Sequence, residues 1–288
     1  VVDALRFKAD EIGVITLTDT PVFQVKSEKE WYTVSTDNNE YRAKSVLFAT
    51  GLYSGGKMSG SDGSGLKILQ KMGYKSYKTA PALVQIKTET EIVRQLKGIK
   101  VNAAVTLCTD NIKLRKEYGE VLFCDYGLSG PPVMQISGEV ATAPDDKYIL
   151  LDLSPLNDYD SLLEILKRRK ATLDLRHCDE FLSGLLNKRV GQTVMKICGF
   201  KQSDYVKDLK DGDLREIAAT VKKLRFKVTG TTGFDNSQVT SGGIDTEQFY
   251  EKTMMSKLHK GLFCAGEILD VYGDCGGYNL AFAFREYK

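Results

Sequence analysis

The run Ser45-Val46-Leu47-Phe48-Ala49 is apolar, does not alternate, and closes on Thr50-Gly51. A strand without alternation is expected to be buried on both faces, as parallel strands are inside α/β units. That feature sets the fold class. Ahead of it, Val14–Leu17, Val22–Val25, Trp31–Ser35 and Tyr41–Phe48 are short β-like runs divided by polar turns such as Asp19-Thr20-Pro21 and Asp37-Asn38-Asn39. They predict a three-stranded meander feeding the apolar strand. A helix is predicted from about Ser64 to Met72.

Further along, the periodicity changes twice. Val101–Cys108 and Glu120–Cys124 alternate, with a polar turn (Thr109–Asn111) and a charged stretch (Lys113–Glu117) between them. Asp160–Leu166 and Leu214–Val221 have helical apolar spacing. From about Arg225 the chain is β-like and glycine-rich again, ending in a helix-like Leu280–Tyr287. The expected organisation is an α/β unit at 1–80 and 225–288, interrupted by a β-rich insert at 81–156 and a helical insert at 157–224.

Composition narrows the function classes. At 288 residues, about two domains are expected. Hydrophobic content of 42% and charged content of 27% are those of an ordinary globular chain. No apolar run reaches the ~20 residues of a membrane span. The formal charge is +2, and no basic run is long enough to track a phosphate backbone, so no nucleic-acid partner is expected. The six cysteines (108, 124, 178, 198, 264 and 275) form no CxxC, and a reduced cytoplasmic protein is the simplest reading. With only His177 and His259, a His-rich metal site is not expected.

Three glycine-rich places invite a ligand. Gly51-Leu52-Tyr53-Ser54-Gly55-Gly56-Lys57 follows the apolar strand, one residue short of a P-loop, with Met58 where a magnesium-binding hydroxyl belongs. A loop admitting a cofactor to the backbone is the better reading, and a plain connecting loop the alternative. Gly60-Ser61-Asp62-Gly63-Ser64-Gly65 precedes the first predicted helix, where capping by Asp62 or Ser64 suffices. The third place, Gly261 to Asn279, joins a short apolar strand to Gly266-Glu267, Asp270 and Gly276-Gly277-Tyr278-Asn279. An acidic side chain at a strand end accepts hydrogen bonds from sugar or ribityl hydroxyls, and paired glycines let a flat ring lie against backbone.

Four ordered stretches carry a family likeness. They are Ala49-Thr50-Gly51 with Gly60–Gly63; Gly119–Phe123 running into Gly127-Leu128-Ser129-Gly130-Pro131; Val239–Ile244 with Thr253–Lys257; and Gly261–Asn279. In these the chain resembles the aminoacetone oxidase-like flavoproteins, also called the BaiN or YhiN type. The resemblance implies an incomplete FAD-binding Rossmann-like domain interrupted by a β-barrel-like piece and a helical piece. It implies FAD as cofactor, with Thr50 and Gly51 near its entry from the sheet. Gly266, Glu267 and Asp270 would face the ribityl and pyrophosphate region, and Gly276, Gly277, Tyr278 and Asn279 would border the ring. The family's opening GxGxxG is absent from this sequence, so a truncated chain is expected. Where the family has Thr-His before the Gly-Leu-Ser-Gly-Pro run, this chain has Cys124-Asp125. Asp125 and Tyr126 are the substrate-pocket candidates, and Gly127–Pro132 also reads as a rigid turn.

The functional expectation is an FAD-dependent oxidoreductase acting on a small molecule by hydride transfer. The alternatives are a cofactor-free binding module and, on Gly51–Lys57, a nucleotide triphosphatase.

Overall fold

The computed structural model describes residues 2–110 and 112–284, and of Lys57 the backbone alone. Helix α1 (Val2–Glu11) buries none of its residues. The meander forms as expected from β1 (Val22–Ser27), β2 (Tyr32–Thr36) and β3 (Glu40–Ala43), in that order and antiparallel. Its central strand is the buried one. Val14–Leu17 is no strand; Val14, Ile15 and Leu17 lie exposed without a pairing partner. Strand β4 (Val46–Phe48) is shorter than its apolar run, and the two-sided burial expected of it is not met. Phe48 is buried while Leu47 is 61% exposed, because the sheet that holds β4 is covered on one face only.

After β4 come a single helical turn, α2 (Gly56–Ser59), and α3 (Ser64–Lys71). Helix α3 seats Leu66 and Leu69 in a core with Val25, Phe48, Tyr74 and Phe249. Asp62 accepts a hydrogen bond from the Ser64 N–H at 2.8 Å, so the glycine-rich stretch before α3 is occupied by its own turn. Hydrogen bonding from the Ser64 side chain, and then from its backbone N–H, holds the Asp62 carboxyl below the usual range.

The chain leaves this unit through β5 (Ser76–Ala82) and enters a barrel. Strand β6 (Ile86–Thr88) is followed by α4 (Thr90–Gln95), β7 (Lys100–Thr109), β8 (Ile112–Cys124), β9 (Gly127–Ser129), α5 (Pro131–Gln135), α6 (Ser137–Val140) and β10 (Tyr148–Asp152). Helices α7 (Tyr159–Thr172), α8 (Lys188–Ile197) and α9 (Asp211–Lys222) come next, then β11 (Leu224–Thr231). Among the described residues six strands close the barrel in the order β10-β11-β6-β9-β8-β7. The charged stretch Lys113–Glu117 is not a connection but part of β8, paired with Val105–Cys108 of β7. Cross-strand pairing with an apolar neighbour holds it in the sheet although its outer face is charged.

Gly127-Leu128-Ser129 is the strand that bridges β6 and β8. A Cβ on Gly127 would stand 2.2 Å from the Ile86 carbonyl oxygen, and one on Gly130 the same distance from that of Glu120. The backbones meet too closely for any side chain, which makes this run a closure device.

Helix α7 begins on Asp158, whose side chain accepts from the Ser161 N–H. Helix α8 begins on Asn187, accepting from Arg189. Barrel and helices share one hydrophobic core running from Phe123, Leu128 and Phe226 to Leu162, Val194 and Ile217. The return strand β12 (Val239–Ile244) pairs antiparallel with β5. Strand β13 (Leu262–Cys264) then pairs parallel with β4, and α10 (Tyr278–Ala283) follows. The last expected helix, Leu280–Tyr287, runs past the described residues. No helix among them is long and apolar enough to cross a membrane, and all six cysteines are free thiols.

Candidate functional site

The parallel pair β4–β13 aligns two loops that lie more than two hundred residues apart in sequence. Ala49-Thr50-Gly51 leaves one strand and Ala265-Gly266-Glu267 leaves the other, tied by the Ala265 N–H to the Phe48 carbonyl at 2.9 Å. Both loops turn on glycines with positive φ, Gly51 at 63° and Gly266 at 73°. The carboxyl ends of parallel strands are where open α/β sheets lodge ligands.

Glu267 joins the two loops. Its Oε2 accepts from the Ser54 hydroxyl at 2.7 Å, while Oε1 is buried with no hydrogen-bond partner. An unsatisfied buried acceptor costs about 1–3 kcal/mol, and a ligand hydroxyl would recover it. Ser54 itself lies in the first glycine-rich loop and carries no separate signal in its residue type or spacing.

Glu267 opens onto a cleft of about 390 Å³. One wall is apolar, with Leu83 and Val239 beside Tyr272, and the other is the Gly276-Gly277 loop with Asn279. Asn279 accepts from the Gly273 N–H at 2.8 Å and donates to the Gly273 carbonyl at 3.0 Å. Its amide is therefore spent on shaping the loop. Gly277 has φ 88° and nothing within 4 Å of where a Cβ would stand, leaving open space over its backbone.

A cationic clamp holds this loop to the barrel. Arg115 on β8 donates from Nη2 to Asp274 at 2.6 Å, from Nε to Glu117 at 2.8 Å and from Nη1 to Glu139 at 3.2 Å. Burial works against the guanidinium charge, but the bonds to Asp274, Glu117 and Glu139 outweigh it and hold the pKa above its ordinary value. Tyr272 seats its hydroxyl against Gly138, where an added Cβ would stand 2.0 Å from the oxygen. Burial chiefly, then the Glu139 charge, pushes this phenol up, so it keeps its proton at neutral pH. Cys275 in the cleft wall is also pushed up, by burial and then by Asp274. It is a thiol and not a nucleophilic thiolate near neutrality.

Of the residues singled out from sequence, the cleft brings together Glu267, Gly276, Gly277 and Asn279. Thr50 turns toward α3, its carbonyl accepting from the Ser61 hydroxyl at 3.1 Å. Asp270 accepts from the Gly242 N–H at 3.0 Å and so braces β12. Tyr278 is 65% exposed and folds over Gly273 and Gly276 of its own loop. Asp125 and Tyr126 stand apart from the cleft. They form the β8–β9 turn, about 30 Å further along the strand from Arg115. There Lys97 bonds Asp125 at 2.7 Å and holds its carboxyl below the usual range. Burial, then the neighbouring Cys124, pushes the Tyr126 phenol up. The near-P-loop fails on charge: a Cβ on Gly56 would stand 1.9 Å from the Asp235 carboxylate, which leaves no anion cradle there. Among the described residues no group of acidic, His and Cys side chains is placed to hold a metal.

An α/β unit that carries an inserted barrel and helices, with a buried carboxylate at its strand ends, defines the class. Residues 80–239 match the family model described as the HI0933-like protein barrel and H2TH domain. That is over half of the chain, and the chain belongs to the HI0933-like family, in agreement with the likeness read from its four motifs. A 3-dehydro-bile acid delta(4,6)-reductase of Clostridium scindens is 29% identical over 287 residues, 99% of this chain and 70% of that protein. A ribosomal RNA dihydrouridine synthase of Haemophilus influenzae is 26% identical over 291 residues, and one of Escherichia coli 26% over 289. Each comparison covers 99% of this chain and 69% of the relative.

Proposed function

We propose that this chain supplies the polyol and ring side of an FAD site, and that the protein reduces a carbon–carbon double bond conjugated with a carbonyl. The observation that carries the reading is the buried, unpartnered Oε1 of Glu267, set beside Ser54 at the ends of two parallel strands. FAD, when bound, supplies hydride chemistry. The chain's own residues do the positioning. Glu267 accepts from a ribityl or ribose hydroxyl, and Ser54 fixes the rotamer in which it does so. Gly266, Gly276 and Gly277 let the group approach the backbone, and Thr50 and Gly51 shape the entry from β4. Asp270, Tyr278 and Asn279 keep the flanking loop in place. The Tyr272 hydroxyl holds its proton beside the apolar wall. Substrate contacts are assigned to Leu83, Val239 and Tyr272, and not to Asp125 and Tyr126 at the far end of the barrel. The cofactor unit comprises the segments before β6 and after β11, because β11 closes the barrel.

The relatives' names support this chemistry. A delta(4,6)-reductase of a 3-dehydro bile acid and a dihydrouridine synthase both concern hydrogenation of a double bond next to a carbonyl. The bile-acid name favours a small fused-ring enone as substrate, which suits the apolar wall. The ribosomal RNA name makes a uracil base the second reading. The test is flavin retention: protein mixed with FAD and desalted is expected to stay yellow. It is then expected to consume a steroidal enone or a uridine-containing oligonucleotide when supplied with reductant. Protein that retains no flavin would instead be the cofactor-free module.

A further inference from the structure

Reduction of a double bond conjugated with a carbonyl adds a hydride at the β-carbon and a proton at the α-carbon. The proton needs an acid within hydrogen-bond reach of that carbon. Among the described residues, the side chains lining the cleft that can carry an acidic proton are Glu267, Tyr272, Asp274 and Cys275. Three of them are committed. Glu267 accepts from Ser54 at 2.7 Å. Asp274 is the anionic partner of Arg115 at 2.6 Å. The Cys275 thiol turns to the side-chain oxygen of Gln238 at 3.9 Å. Tyr272 differs from these. Its half-buried ring packs against Leu83 and Val239, the apolar wall that a fused-ring enone would cover. Its hydroxyl rests on Gly138, where any side chain would displace it. The Ser241 hydroxyl bonds the phenol in the sense that favours the ionised form, so Ser241 donates and the phenol's own proton stays uncommitted. Burial first, then Glu139 and Asp274, keep that proton on the oxygen in the resting site. Arg115 and Ser241 favour the phenolate once the proton has gone.

We propose that Tyr272 donates the proton to the substrate's α-carbon. The assignment rests on the reductase reading above. The hydride's electron pair forms the new C–H bond at the β-carbon, and the π pair of the double bond moves onto the carbonyl as an enolate. The enolate pair then bonds the Tyr272 proton at the α-carbon as the O–H bond breaks. Two electrons pass to the substrate from the flavin reductant. The phenolate left behind takes a proton back from solvent, and Ser241 and Arg115 stabilise it until then. The need for this acid depends on the substrate. A nitroalkene that accepts hydride gives a nitronate, an anion that is stable without protonation at carbon, so its reduction does not require Tyr272.

The test uses the full chain loaded with FAD, photoreduced without oxygen and mixed with progesterone or with nitrocyclohexene, while the return of oxidised-flavin absorbance is timed. Equilibrium dialysis of progesterone against the oxidised protein gives its affinity without turnover. The Y272F variant keeps the ring on its wall, so it retains flavin and binds progesterone within a few-fold of wild type. It is expected to reduce progesterone roughly 100-fold or more slowly, the share that general acid catalysis supplies. Its reaction with nitrocyclohexene stays close to the wild-type rate. A residue that only shapes the cleft would slow both alkenes together. The donor assignment is overturned if Y272F reduces progesterone at the wild-type rate, or if it slows both alkenes equally. Protein that retains no flavin, or wild type whose reduced flavin progesterone does not reoxidise, overturns the reductase reading and the donor with it.

Discussion

Replacing Arg115 by Met probes the junction between barrel and cleft most sharply. Among the ion pairs of the described residues, Arg115–Asp274 is the one that joins the family-matched segment to the segments flanking it. The side chain is 21% exposed and serves three carboxylates, of which Glu117 and Glu139 are about as shielded and Asp274 is 45% exposed. Removing one partner of a fully buried pair costs about 3–5 kcal/mol, whereas a fully exposed pair is worth about 0–1. The geometry lies between these, nearer the buried limit for two of the three bonds, so a loss of about 2–3 kcal/mol is expected. At about 2–4 °C per kcal/mol for a chain of this size, the midpoint of thermal unfolding falls by roughly 5–10 °C. The pH behaviour follows from the sign of the shift. The folded guanidinium pKa is raised, so its contribution is complete below the ordinary arginine value and flat through neutral pH. In the variant three carboxylates face one another without a cation, so acidification toward pH 5 narrows the gap to wild type. Calorimetry of both proteins from pH 5 to 8 measures this. A loss under about 0.5 kcal/mol, or a gap that widens on acidification, would refute the clamp.

The Gly127→Ala substitution forces a Cβ to 2.2 Å from the Ile86 carbonyl, and should abolish soluble folded protein or cost several kcal/mol by denaturant titration. Gly138→Ala displaces the Tyr272 hydroxyl, and is expected to weaken flavin retention while leaving the barrel's far-ultraviolet circular dichroism intact. Burial pushes the Cys264 thiol up to about 12 and the Cys178 thiol, with help from Asp204, up to about 11. Unfolded thiols ionise near 8.5, so the stability these groups provide is complete below that pH. It is lost as pH climbs toward 11 and 12, at up to about 1.4 kcal/mol per pH unit for each. Urea titrations at pH 8 and 10 should show the fall, and native protein at pH 8 should leave Cys264 unreactive toward a thiol reagent.

Local pattern carried much of the architecture. The meander, α3, α7 and α9 could be read because their apolar spacing agrees with the faces they bury. Helix α8 was not readable: Lys188–Ile197 contains Gly191, Thr193 and two valines, weak helix formers that hold only because Val190 and Val194 enter the shared core. Strand β8 was half hidden, since Lys113–Glu117 is polar on its own and becomes a strand by pairing with β7. At the site, Glu267 and the Gly276-Gly277-Asn279 loop stood out from residue type and spacing. Ser54 and Arg115 did not, because their partners lie 213 and 159 residues away and no local period encodes such contacts.

The Glu267 assignment is tested most directly by titrating FAD into wild-type protein and the E267A variant, following the visible absorbance of bound flavin. A hydrogen bond to a carboxylate is worth about 1.5–3 kcal/mol, so E267A should bind FAD roughly 10- to 150-fold more weakly, and S54A should lose less. Equal affinities for wild type and E267A, with both proteins folded, would contradict the placement of the cofactor's polyol at Glu267.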